Sequence, residues 1–99
     1  MNAKGAGELK LKAVKPCAAA DYYRVAPGKE LELDLRSSAN KLKEAGYELG
    51  IVTRALITFR KGGKEFSMFP SGRMIVRGVA SEEEAVEVAL EILHLILGS

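Results

Sequence analysis

Lys64-Glu65-Phe66-Ser67-Met68-Phe69-Pro70-Ser71-Gly72-Arg73-Met74-Ile75-Val76-Arg77-Gly78-Val79 is the stretch whose reading decides the fold. Two extended runs, Glu65 to Phe69 and Arg73 to Val79, flank a Pro-Ser-Gly turn signal, which predicts a hairpin. Upstream, Gly62-Gly63 marks a second turn, and the pattern is already extended from Tyr47 through Ile51 to Lys61. Successive extended runs joined by short turns predict an antiparallel meander.

Helices bracket it. Asp34 is placed to cap a helix running to Ala45, with Leu35, Ala39 and Leu42 at helical spacing and Gly46 as its stop. Ser81-Glu82-Glu83-Glu84 is a capping box: the serine accepts from the amide three residues on, Glu84 reaches back, and the acids suit the positive helix end. The helix after it, Ala85 to Leu97, is apolar around more than one stripe, so it reads either as deeply buried or as a partner surface.

Further upstream, Glu8 to Val14 alternates, with Leu9, Leu11 and Ala13 on one face, and predicts a first strand. Pro16 stops that pattern, and Ala18 to Gly28 shows no sustained period and ends in Pro-Gly, which reads as a long loop. Residues 1–7 read as a tail and residues 8–99 as one domain. The expected class is α+β, in the order β-α-β(4)-α, an antiparallel sheet with both helices on one face.

The 99 residues suffice for one core and not for two. At 47% hydrophobic and 28% charged, with ten Gly and three Pro, the composition is that of a globular domain rather than a disordered or collagenous chain. Fifteen basic against thirteen acidic residues give +2, so a basic surface has to arise by segregation. The acids gather at Glu30 to Asp34 and Glu82 to Glu91, leaving Lys4 to Lys15 and Arg54 to Arg77 as basic stretches. With no secretory pattern, no stretch near the roughly 20 apolar residues of a membrane span, and one Cys, a cytoplasmic location is expected and a membrane partner is not.

Three elements in register, Leu33-Asp34-Leu35, Phe69-Pro70-Ser71-Gly72-Arg73-Met74 and Ser81-Glu82-Glu83, together with the alternating Ala55 to Arg60, resemble one repeat of the TATA-box-binding protein family. The resemblance is firm over Leu33 to Ala85, a little over half the chain; the stretch from Pro16 to Glu32 is longer than the family's connection. It implies a curved sheet, a half-saddle, whose concave face meets DNA or RNA without catalysis. Phe69 then falls on one wedging phenylalanine, with Ser67 beside it on the open face and Phe66 and Met68 inward. Val52 stands where the second aromatic wedge would be, which weakens the case for sharp kinking. By the same alternation Arg54, Leu56, Thr58, Arg60, Ile75 and Arg77 join the open face, with Met74 and Val76 turned to the helices. Lys10 and Lys12 of the first strand complete a nucleic-acid-binding surface of five cations and no acid. A single repeat also implies a homodimer, through the first-strand edge or the C-terminal helix.

Plainer readings stand beside these. Phe69 is equally a partly covered aromatic, and alternating Lys and Arg are what any solvated sheet face carries. Cys17, near Asp21, Tyr22, Tyr23 and Arg24, reads as a small half-buried residue or as a thiol with a sulfur-handling role. His94 has no partner at metal-ligand spacing, so no metal and no cofactor are expected. Gly62-Gly63 fits a hairpin rather than a phosphate loop, and no catalytic constellation stands out, so the chain is not expected to be an enzyme. The alternative function is a protein-interaction or accessory module for a partner enzyme.

Overall fold

A computed structural model describes residues 11–14 and 21–98. Its elements run β1 (Leu11–Val14), β2 (Tyr22–Pro27), α1 (Leu35–Glu44), β3 (Glu48–Val52), β4 (Ile57–Lys61), β5 (Lys64–Met68), β6 (Met74–Arg77) and α2 (Glu82–Leu97). The strands form one six-stranded antiparallel sheet in the order β1-β2-β6-β5-β4-β3. The class is α+β, as the sequence indicates. The 1–7 tail, Lys10 and Cys17 lie outside the described residues.

One expectation is overturned by β2. The segment read as a loop carries a six-residue interior strand, paired with β1 on one side and β6 on the other. Its alternation is hidden because only Val25 is fully buried, and the outward positions on either side include Tyr22 and Ala26, which are not strongly polar. Pro27, which has no amide to donate, sits at the strand's end opposite Leu11. The order is therefore β-β-α-β(4)-α, with β1 an added edge strand. The extended run through Ile51 to Lys61 is also interrupted. Thr53 Oγ1 accepts from the amides of Ala55 and Leu56 at 3.1 and 2.9 Å, making a turn that separates β3 from β4.

The caps form as the sequence indicates. Asp34 accepts from the amides of Arg36 and Ser37, and Ser81 from that of Glu84 at 3.1 Å. The Glu84 carboxylate reaches back to the Ala80 amide at 2.8 Å, one residue before the cap. Ala85, Ala89, Ile92, Leu93 and Ile96 of α2 join Leu35, Ala39 and Leu42 of α1 in one core with Val25, Ile57, Phe59, Phe66, Met68, Met74 and Val76. These strand residues alternate along their strands, so one sheet face is buried beneath both helices and the other is open. Most of the apolar surface of α2 is spent on this core, though Leu97 remains exposed.

Candidate nucleic-acid interface

Cross-strand registers set the open face out as a grid. Tyr22 pairs with Arg77, Arg77 with Glu65, Glu65 with Arg60 and Arg60 with Glu48, so one rung crosses five strands with charges of alternating sign. The next rung is Arg24, Ile75, Ser67 and Thr58. Beyond it lie Lys12 and Ala26, paired with each other, and then Arg73 and Phe69. The Phe69 amide donates to the Arg73 carbonyl at 2.9 Å.

The alternating rung neutralises itself. Arg60 Nε and Nη2 donate to the two Glu48 oxygens at 3.1 and 3.2 Å, and these bonds and the guanidinium charge hold the Glu48 carboxyl below its ordinary range. Arg77 lies 3.7 Å from Asp21 and 5.3 Å from the Tyr22 ring centre. Opposite charges directly across strands also favour the register itself.

The opposite end is different. Lys12, Arg24 and Arg73 surround a shallow depression of about 560 Å³ whose apolar lining includes Phe69, Ile75 and Ala26. No carboxylate lines it, and Lys12, Arg24 and Arg73 form no ion pair among the described residues. Arg24 and Arg73 are exposed, and Phe69 and Ile75 are half-buried.

The turn beneath Phe69 and Arg73 is braced from behind. Leu31 and Leu33 donate their amides to the Ser71 and Pro70 carbonyls, each at 2.9 Å. Gly72 has φ +96°, a backbone conformation that favours glycine, and a Cβ there would stand 3.0 Å from the Leu31 side chain and 3.1 Å from that of Pro27, so a larger residue would be strained and would have to press both aside. Phe69 and Arg73 therefore sit on a fixed support rather than on a free loop tip.

Of the residues singled out from sequence, Lys12, Thr58, Arg60, Phe69, Ile75 and Arg77 lie on the open face. Arg54 and Leu56 fall in the β3–β4 turn. The Thr58 hydroxyl is engaged by the Ile51 amide at 2.8 Å, where β3 bulges, and occupies the space a side chain at Gly50 would need. The expected face without acids is corrected: Glu48 and Glu65 stand on it. The alternation that sends Ser67 and Phe69 outward sends Glu65 there too, so that signal was present in the sequence. Arg24 was hidden with the rest of β2, and Arg73 lay next to the turn.

Among the described residues no group of three or more His, Cys, Asp or Glu is placed to hold a metal ion, and no helix is long and apolar enough to cross a membrane. Comparison with family models, curated proteins and solved structures found no match to this chain.

Proposed function

We propose that the domain binds nucleic acid, without catalysis, through the basic end of its open sheet face. The observation that carries the reading is the grouping of Lys12, Arg24 and Arg73 around Phe69 and Ile75 with no carboxylate among the described lining residues. Cations at the margin suit phosphates, and an aromatic and an aliphatic side chain between them suit sugar and base surfaces. The resemblance to a TATA-box-binding protein repeat fits this use. The resemblance assigns the first strand to residues 8–14; with β2 in that role instead and β1 as an addition, the order strand, helix, four strands, helix supports the reading.

The test is anisotropy titration of labelled DNA and RNA at several salt concentrations. Phosphate contacts give log-log slopes of about −0.7 per contact for single strands and −0.9 for duplex. Arg24→Gln with Arg73→Gln should weaken binding and flatten the slope in a variant that still melts cooperatively. Absence of binding at low salt would refute the reading.

A second reading, an accessory module that docks a protein, is favoured by Ile51 and Val52, which are 53% and 43% exposed on the edge strand β3. Ile51→Ser with Val52→Thr would abolish such docking and leave nucleic-acid binding intact.

A further inference from the structure

We infer that the nucleic acid this face takes is an unpaired strand, one of whose bases lies against Phe69 while Arg24, Arg73 and Lys12 hold the flanking phosphates. The inference rests on the nucleic-acid reading above and specifies its ligand.

Charge distribution carries it first. A duplex laid across the sheet would bring its phosphate rows over the far rung, where Glu48 and Glu65 face the open side and Arg60 is already bonded to Glu48. Placing phosphates beside carboxylates is unfavourable, and an arginine held by a carboxylate has less charge to offer. A single strand meets no such barrier, because a few of its nucleotides are enough to cover the basic end. From the Arg73 position to the Arg77 position is four residues of extended chain, ~13 Å at about 3.3 Å per residue. Arg73 is thus clear of the alternating rung, and Arg24, which has no ion pair among the described residues, stands two residues from it, so a ligand a few nucleotides long can cover the basic end without crossing Glu65 and Glu48.

Shape carries it second. Phe69 is half-buried and lines the depression, and the Leu31 and Leu33 bonds hold the turn that bears it. A ring with part of its surface already covered offers less area to wedge between stacked base pairs. It is well placed to receive a base already out of its stack, as aromatic platforms on sheets do for single strands. The depression is open, with Phe69, Ile75 and Ala26 as an apolar surface on which a base can lie and the cations at its margin. The ligand chemistry is an unpaired base between two phosphodiesters.

The test uses a labelled deoxyoligonucleotide of about fifteen residues, ~50 Å at 3.4 Å per residue and so longer than the 38 Å long axis of the protein. It is titrated alone, annealed to its complement, as the ribo-oligonucleotide of the same sequence, and in competition with a free mononucleotide. The single strand, in one or both sugar forms, should bind at least about tenfold more tightly than the duplex, with a slope near −2 from about three contacts at −0.7 each. Phe69→Leu, which keeps an apolar side chain in the turn, should weaken single-strand binding on the order of tenfold through lost stacking and leave the salt slope unchanged. Arg24→Gln should lower the slope by about 0.7.

Equal or tighter duplex binding that Arg24→Gln weakens would overturn the single-strand inference and leave the nucleic-acid reading standing. A mononucleotide that competes as well as the oligonucleotide, or Phe69→Leu binding as the native chain does, would also overturn it. No binding by any arm would overturn both.

Discussion

On the proposed nucleic-acid reading, removing the carboxylates from the alternating rung should strengthen binding. The open face carries Lys12, Arg24, Arg73, Arg60 and Arg77 against Glu48 and Glu65, with Asp21 beside Arg77 at its border. Arg60 is the most strongly held, through two bonds to Glu48, and Glu65 stands between Arg60 and Arg77 in register. Glu48→Gln with Glu65→Gln leaves the strand positions filled by uncharged side chains of nearly the same shape, releases Arg60 from its two bonds, and removes the carboxylate in register with Arg77, which keeps only its 3.7 Å contact with the exposed Asp21. If both arginines then reach phosphates, the number of contacts rises from about three to about five, and the single-strand slope from near −2 to near −3.5 at about 0.7 per contact. Taking 1 M salt as the reference, two added contacts at 0.1 M multiply the binding constant by about 10 to the power 1.4, roughly 25-fold. The assay is a salt-dependent anisotropy titration with an oligonucleotide long enough to reach both ends of the face, run beside a thermal melt to show that the variant folds. Unchanged affinity and slope in a folded double variant would refute the idea that the rung limits the footprint.

Other outcomes follow from the fold. Gly78 has φ +86°, and a Cβ there would stand 2.3 Å from the Gly63 carbonyl oxygen, so Gly78→Ala forces backbone to move and should cost at least 1–3 kcal/mol; Gly62→Ala, with φ +61° and open space, should cost only about 1–2 kcal/mol, and a Gly78→Ala melt no lower than the Gly62→Ala one would contradict the packing. Met68 is fully buried, and Met68→Ala should destabilise by about 2–5 kcal/mol, lowering the melting temperature by about 10 °C or more. The Glu48 carboxyl is lowered in the fold, chiefly by its hydrogen bonds to Arg60 and then by the arginine's charge. Its contribution is therefore present above the unfolded carboxyl range and lost as pH falls through the folded value, and the acid limb of a stability profile should flatten in Glu48→Gln. Tyr47 is raised, by burial first and then by Glu91, so its contribution is present below the unfolded tyrosine range near pH 10 and is lost as pH rises through the folded value. Tyr47→Phe should remove that alkaline loss.

The legible elements were those whose chemistry is local. Asp34 and Ser81 announce helix starts because a short oxygen-bearing side chain before an apolar period has one obvious use, and the Gly62-Gly63 and Pro70-Ser71-Gly72 turns announce hairpins for a similar reason. Strand β2 was not legible, because its place between β1 and β6 is decided by residues distant in sequence and its own pattern alternates only weakly. The error propagated to the site: with β2 missing, Arg24 had no face to belong to. The expectation of a face without acids fails for a different reason, because the parity that sends Ser67 outward sends Glu65 there as well. Ile75 lies on the open face opposite Ser67, as the strand alternation indicates, and Phe69, one residue past β5, lines the same depression.

The most direct test of the central claim is to follow backbone amide resonances of the labelled domain while a single-stranded oligonucleotide is added. Salt-sensitive shifts concentrated at Lys12, Arg24, Phe69, Arg73 and Ile75, with Glu48 and Arg60 and the helical face unmoved, are the predicted result. Shifts centred on the β3 edge or on α2, or none at this end of the sheet, would contradict it.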